Sequence, residues 1–143
     1  MTAKANRRYE QRMRQIGRML ADRRSYEKCL CIGTEEFIYI PCFISSCMGE
    51  NIKFVSSARS PIILNDEEEY AVFDALTYKR PEDKSVINYL YNIGKGIYDE
   101  IFWFFERRPG KEFELAMLKA FVQRGIKKVH FVICDGENSE ENE

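Results

Sequence analysis

The best case for chemistry in this chain is the stretch Ser56-Ser57-Ala58-Arg59-Ser60, where the apolar run Lys53-Phe54-Val55 stops in small hydroxylated residues and one arginine before Pro61. A guanidinium is a rigid fork of donors and the serines add hydroxyls around it, so the group is suited to clamping an anion. Pro61 restricts the backbone and holds Ser60 extended. Taken alone, the same residues also describe an ordinary strand exit with a surface ion pair. A second cluster, Gly33-Thr34-Glu35-Glu36, follows the apolar run Cys29 to Ile32. A third lies in Val86 to Ile93, where Tyr89, Tyr91 and Asn92 form either a lid packed on the core or a stacking surface for a base or sugar.

The chain contains no Gly-x-Gly-x-x-Gly, no Gly-x4-Gly-Lys-Ser/Thr and no Gly-x-Ser-x-Gly. Its five cysteines are Cys29, Cys31, Cys42, Cys47 and Cys134, and His130 is the only histidine. The pair Cys42 and Cys47 lacks the second pair or histidine cluster that would complete a tetrahedral metal set, so no metal and no cofactor is expected. Three of the cysteines fall in strand-like runs, which favours free buried thiols. A Cys/His nucleophilic pair is disfavoured because both partners fall inside strands. The acidic run Asp66 to Glu69 reads as a solvated turn rather than a magnesium site.

These residues need a scaffold, and 143 residues allow one core in two or three layers. Residues 5–27 form an amphipathic helix with Tyr9, Met13, Ile16 and Leu20 on one seam and arginines over the other faces. Cys29 to Ile32 is a strand. Thr34 is placed to cap a helix over Phe37 to Met48 that Pro41 should kink. Asn51 to Val55 is the next strand. An irregular insertion of extended pieces after Pro61 is expected to lie over the loop edge of the sheet. Tyr98 to Phe105 and Lys128 to Cys134 are nearly continuous apolar runs, as in strands buried on both faces. A helix over Lys111 to Arg124 joins them, with Phe113, Met117, Ala120 and Phe121 inward and Gly125 as its stop. The sum is an α/β fold: a doubly wound, mostly parallel, Rossmann-like sheet of about four strands or more with helices on both faces. The organisation is a basic helix at 1–27, one α/β domain at 28–135 and an acidic, disordered tail at 136–143.

Charge is distributed unevenly. Residues 1–28 hold nine Lys/Arg against three Asp/Glu, and 135–143 hold five acids and no base. The basic helix suits docking on an acidic partner, while the lack of an accompanying aromatic motif disfavours nucleic acid. No apolar run reaches the roughly 18 residues that cross a bilayer, so no membrane contact and a cytoplasmic location are expected.

Four blocks in order, Cys31-Ile32-Gly33-Thr34-Glu35-Glu36-Phe37-Ile38-Tyr39-Ile40-Pro41, Ser56-Ser57-Ala58-Arg59-Ser60-Pro61-Ile62, Tyr89-Leu90-Tyr91-Asn92 and Tyr98-Asp99-Glu100-Ile101, resemble the successive blocks of the TRSP domain. That domain is the C-terminal partner of a phosphoribosyltransferase domain in bacterial proteins of tellurium-resistance and stress gene clusters. The blocks extend from about Arg18 to Cys134. Ala58 stands where the family's naming motif has threonine, which removes one hydroxyl. No acidic pair followed by a Thr/Gly-rich loop for phosphoribosyl pyrophosphate is found, so the chain is not a complete transferase. The resemblance implies a domain with no assigned chemistry that works beside a phosphoribosyltransferase domain or protein in making or modifying a nucleoside-like metabolite, which favours an accessory ligand-binding role over an enzyme acting alone. The alternative is an interaction module that docks that enzyme and binds no small molecule.

For a phosphorylated small-molecule ligand, the expected site residues are Gly33, Thr34, Glu35, Glu36, Ser56, Ser57, Arg59, Ser60, Tyr89, Tyr91 and Asn92. Arg59 and a helix amino terminus would hold phosphate, Glu35 or Glu36 would accept from ribose hydroxyls, and Tyr89 or Tyr91 would stack a base. If the strand order reverses between the two halves, Glu106, Arg107, Arg108 and Asp135 share the same edge.

Overall fold

The computed structural model describes residues 3–59 and 75–134. Ser60, the acidic run and the tail lie outside the described residues. Four strands, β1 (Cys29–Gly33), β2 (Ile52–Ser56), β5 (Glu100–Phe105) and β6 (Lys128–Ile133), form one parallel sheet in the order β2-β1-β5-β6. The two inner strands are buried at every residue. That is the pattern their unbroken apolar sequences demand, because both faces of a parallel sheet must be covered.

One face is covered by two helices. Helix α1 (Ala3–Arg23) sets Met13 and Leu20 against Cys29, Cys31, Phe102 and Phe104, joined by Ile44 of α2 (Tyr39–Ser46). The two helices meet at Gly17, where an added Cβ would lie 2.5 Å from Cys47 Cβ and 2.9 Å from the Ile44 carbonyl. Only glycine permits that approach. Just past α1, Arg24 donates to the carbonyls of Tyr26, Glu27 and Met48, tying the α1 end to the α2 end.

The expected kink in α2 is absent, and its start is later than the sequence suggests. Pro41 is the third residue of the helix, where its missing N–H would have had no intrahelical acceptor. The first helical bond runs from Cys42 N–H to the Ile38 carbonyl. Thr34 is therefore too far upstream to cap α2, whose first turn contains no acid.

The other face carries α3 (Lys111–Gln123) and an antiparallel hairpin, β3 (Ala75–Arg80) with β4 (Asp83–Tyr91). Tyr78, Leu90 and Ile93 pack with Leu30, Ile32, Ile101, Trp103, Met117 and Phe121 in a second core cluster. The described part of the insertion reaches the loop edge only through the hairpin tip and the Ala58–Tyr89 bridge; its alternate apolar residues cover the sheet face. Tyr78 meets Trp103 and Phe113 edge to face at 5.3 and 5.5 Å. Gly125, at φ +84°, ends α3 in the left-handed conformation and turns the chain into β6.

Candidate functional site

The chain runs outward from β1 to β2 and then returns across the sheet to β5 on the other side of β1. The loop leaving β1 heads for one face and the loop leaving β5 for the other, so a crevice opens between them at the carboxyl ends of the strands. A cleft of about 500 Å³ occupies that place. Thr34, Glu35, Glu36 and Phe37 line it from the β1 loop, and Phe105, Glu106 and Arg107 from the end of β5. Arg59 comes from the β2 exit, with Arg80 and Glu82 from the hairpin tip.

Hydrogen bonds between the loops fix this edge. Ser57 N–H donates to the Gly33 carbonyl at 3.0 Å, and Glu35 N–H donates to Ser57 Oγ at 3.0 Å. Ala58 and Tyr89 exchange backbone bonds of 3.0 and 2.8 Å, which ties the hairpin to the same exit. Gly33 is required by close approach, since a Cβ would sit 2.9 Å from the Phe37 carbonyl and from the Phe54 ring. Thr34 Oγ1 donates to the Phe104 carbonyl at 2.7 Å and accepts from Trp103 Nε1 at 3.0 Å. Its hydroxyl is committed to the scaffold.

Glu35 is the centre of the cleft. Its backbone is held at φ +52°, a region that side chains other than glycine enter at a cost. Its carboxylate lies between two arginines, Oε1 at 2.5 Å from Arg59 Nε and Oε2 at 3.2 Å from Arg80 Nε. The hydrogen bond and charge of Glu35 hold the Arg59 guanidinium above its ordinary pKa. Arg80 Nε is buried and within ion-pair distance of both Glu35 and Glu82, yet it forms no hydrogen bond to either. A buried N–H donor facing a cleft without an acceptor is costly.

The expected site residues divide. Thr34, Glu35, Glu36 and Arg59 come together in the lining. Gly33, Ser56 and Ser57 lie behind it; Ser57 is buried and Ser56 is paired with Gly33 in the sheet. Tyr89 and Tyr91, two residues apart on β4, stack on each other with ring centres 5.9 Å apart and planes 4° from parallel. Asn92 is in the left-handed region at φ +61° as the chain leaves β4. Thr34 and Glu35 do not form a helix amino terminus at the cleft, because α2 starts beyond the Thr34 to Phe37 turn. Glu106 and Arg107 share the edge as the reversed strand order requires, whereas Arg108 pairs with Glu114 at 3.3 Å outside this cleft. Sequence reasoning missed Arg80 and Glu82. The signal was an arginine and a glutamate flanking Pro81 at a hairpin tip, but only the register of β3 and β4 carries that tip to the cleft.

The opposite edge holds another charged cluster that the sequence reading left unassigned. Glu100 at the start of β5 is fully buried. Its Oε1 accepts from the N–H groups of Ser25 and Tyr26 at 2.8 and 3.0 Å, and its Oε2 is 2.5 Å from His130 Nε2. The imidazole stacks on Phe102, and burial depresses its pKa against the opposing pull of Glu100. Burial likewise raises Cys29. Cys31 is pushed up to about 12 by burial. Among the described residues all five cysteines are free, and no group of three or more His, Cys, Asp or Glu side chains could hold a metal ion. No described helix is long and apolar enough to cross a membrane.

Comparison with known proteins identifies one family, described as the TRSP domain C terminus to PRTase_2, matching residues 1–122. No curated protein and no solved structure matches. The match runs from α1 into α3 and includes β1, β2, the hairpin and β5, so all the elements that line the cleft lie within it. The chain belongs to the TRSP domain family, which is defined by its position C-terminal to a phosphoribosyltransferase domain.

Proposed function

We propose that this chain is an accessory ligand-binding domain of a phosphoribosyltransferase system, recognising a nucleotide or ribose-phosphate in the carboxyl-edge cleft of a doubly wound, Rossmann-like sheet. The observation that carries the reading is the convergence of Arg59, Arg80 and Arg107, from three separate elements, on the crevice where the strand order reverses. Guanidinium groups in a concave site match phosphate oxygens in pairs. The lining also holds Glu35, Glu36, Glu82 and Glu106, so it is not a simple basic patch. Phosphate would take the place of the Glu35 carboxylate against Arg59 and Arg80. The displaced carboxylate, or Glu36, could then accept from ribose hydroxyls.

The test is calorimetry and thermal shift with nucleoside mono- and diphosphates and ribose phosphates, because a ligand that binds only the folded state raises its melting temperature by mass action. Binding should be lost in Arg59→Ala and in Arg80→Ala. Absence of any shift at millimolar ligand overturns the reading.

A second reading rests on α1, whose Arg7, Arg8, Arg12, Arg14 and Arg18 are all exposed. In that reading the helix docks an acidic surface of the phosphoribosyltransferase, without a small molecule. Charge reversal at Arg12 and Arg18 would then weaken association in a salt-dependent way, and unchanged association would exclude it.

A further inference from the structure

The tyrosines of β4 stack on each other, and no aromatic ring but that of Phe37 and Phe105 lines the arginine cleft. A second hollow, of about 500 Å³, borders that cleft: Glu36 and Phe37 line both. The Thr34 to Phe37 turn, closed by the Phe37 N–H to Thr34 carbonyl bond at 2.9 Å, is therefore the divide between two concave surfaces. One is lined by arginines and glutamates, the other chiefly by rings and aliphatic side chains.

The hollow exists because α1 outruns the core. Its seam residues Met13 and Leu20 are buried, but one turn earlier Tyr9 is 43% exposed, and residues 3–9 are exposed throughout. Asn6, Tyr9 and Glu10 are spaced three and four apart, so they share the helix face that lines the hollow. Ile38 and Tyr39, where α2 begins, add to the lining, and Tyr39 is 65% exposed. The two tyrosines are near enough that Tyr39 adds, after burial and Cys134, to the rise in the Tyr9 pKa. Among the described residues the ring contact of Tyr39 is with Phe43, 6.3 Å away and tilted by 55°, so no ring stacks on its faces. Exposed aromatic side chains gathered round a concavity mark a binding surface. Polar groups accompany them: Asn6 has both donors and an acceptor, and the Glu10 carboxylate has only a loose 3.9 Å contact with Arg14.

We infer that this hollow takes the base of a nucleoside monophosphate whose phosphate lies against the arginines of the cleft, so that the ligand straddles the Thr34 to Phe37 turn. The inference rests on the phosphate reading above and narrows its ligand from ribose phosphates in general to nucleotides. The base stacks on Tyr39 with Tyr9 beside it, and Asn6 and Glu10 meet its polar edge. Glu36, exposed on the divide, accepts from the ribose hydroxyls. The shared wall carries the argument. Rings on one side of a turn and guanidinium groups on the other match the two ends of a nucleotide, since every base has a face to stack and every phosphate a charge to pair. A site for ribose phosphate alone has no use for the rings.

Calorimetry on the full chain with ribose phosphate, the common nucleoside monophosphates and the matching nucleosides reads the outcome. At least one nucleoside monophosphate should bind about tenfold tighter than ribose phosphate, within the range expected for stacking one base. Tyr39→Ala should remove that advantage and leave ribose phosphate unaffected, while Tyr39→Phe should keep it. The side chain is exposed, so circular dichroism of both variants should match the unmodified chain. The nucleosides should bind more weakly, lose binding in Tyr39→Ala and be indifferent to Arg59→Ala. Equal affinity for ribose phosphate and every nucleoside monophosphate overturns the inference and leaves the arginine cleft standing, as does an advantage that survives both Tyr39→Ala and Tyr9→Ala. Nucleosides that bind through Tyr39 as tightly as their monophosphates overturn the straddling pose and the phosphate reading, and keep only the aromatic site. Binding by none of these ligands overturns both readings.

Discussion

A glutamate stands at each end of the central strands, and the two differ in how completely they are satisfied. Glu100, at the amino edge, is fully buried, and both its oxygens have partners: two backbone N–H groups and an imidazole. Glu35, at the carboxyl edge, is held by two arginines, one of them more than half exposed and the other with a buried Nε that donates to nothing. The first arrangement is closed and the second open. A carboxylate whose lone pairs are filled by the scaffold is structural, because nothing can replace it without leaving those donors unpaired. A carboxylate that rests against guanidinium groups in a cleft can be exchanged for another anion at little cost.

The largest effect that tests this contrast is on Glu100. Glu100→Ala removes a fully buried carboxylate and strips acceptors from Ser25, Tyr26 and His130, and should cost about 3–5 kcal/mol. Urea unfolding measures it as a lowered midpoint with an unchanged slope. A loss comparable to that of a surface ion pair would erase the distinction between the two edges.

Next comes Thr34, which lines the cleft but serves the scaffold. Thr34→Val keeps the shape, orphans Trp103 Nε1 and removes the bond to the Phe104 carbonyl. We expect a stability loss of about 1–3 kcal/mol, with ligand affinity nearly unchanged. Arg80→Ala should show the reverse, and a matching loss of affinity in Thr34→Val would move the threonine into the binding set.

Much of the scaffold was legible because it depends on local pattern. The apolar runs of β1, β5 and β6 and the spacing of Met13, Leu20, Met117 and Phe121 read directly as strands and helices. The partnership of Gly33 to Glu36 with Arg59 followed from two loops leaving adjacent parallel strands. The role of Thr34 did not, because a threonine before acidic residues also describes a helix cap, and only Trp103 and Phe104, some 70 positions on, reveal its orientation. Arg80 was hidden for a similar reason. Its contribution depends on where a hairpin is laid across a sheet, which neither periodicity nor motif spacing encodes. Glu100 stood beside Asp99 near the start of an apolar run, with nothing local to set it apart, and the donors that bury it are 75 and 74 positions away.

A smaller effect separates the edges by pH. Burial lowers the His130 pKa, so the unfolded chain binds the imidazole proton more readily than the folded one. The associated stability is fully present above the ordinary imidazole value of about 6.5 and declines as pH falls below it. His130→Gln should flatten that part of the curve. Chemical unfolding between pH 8 and about 5.5 tests it, and an unaltered slope in the variant would assign the dependence to other groups.

The smallest change in stability is the most informative about the cleft. Glu35→Gln removes one negative charge from between Arg59 and Arg80 while keeping the side chain's shape, and should alter stability by about 1 kcal/mol, because the Arg59 partner is more than half exposed and screened by solvent. If Glu35 holds the arginines only until an anion arrives, the variant should bind phosphate-bearing ligands more tightly than the unmodified chain, because the anion no longer competes with a resident carboxylate. If Glu35 instead contacts the ligand's hydroxyls, the variant should bind less tightly while inorganic phosphate alone still binds better. Titrating Glu35→Gln with both ribose phosphate and inorganic phosphate separates the two roles. A variant that is markedly unstable would place Glu35 with Glu100 as a structural group, and the contrast between the edges would fail at its open end.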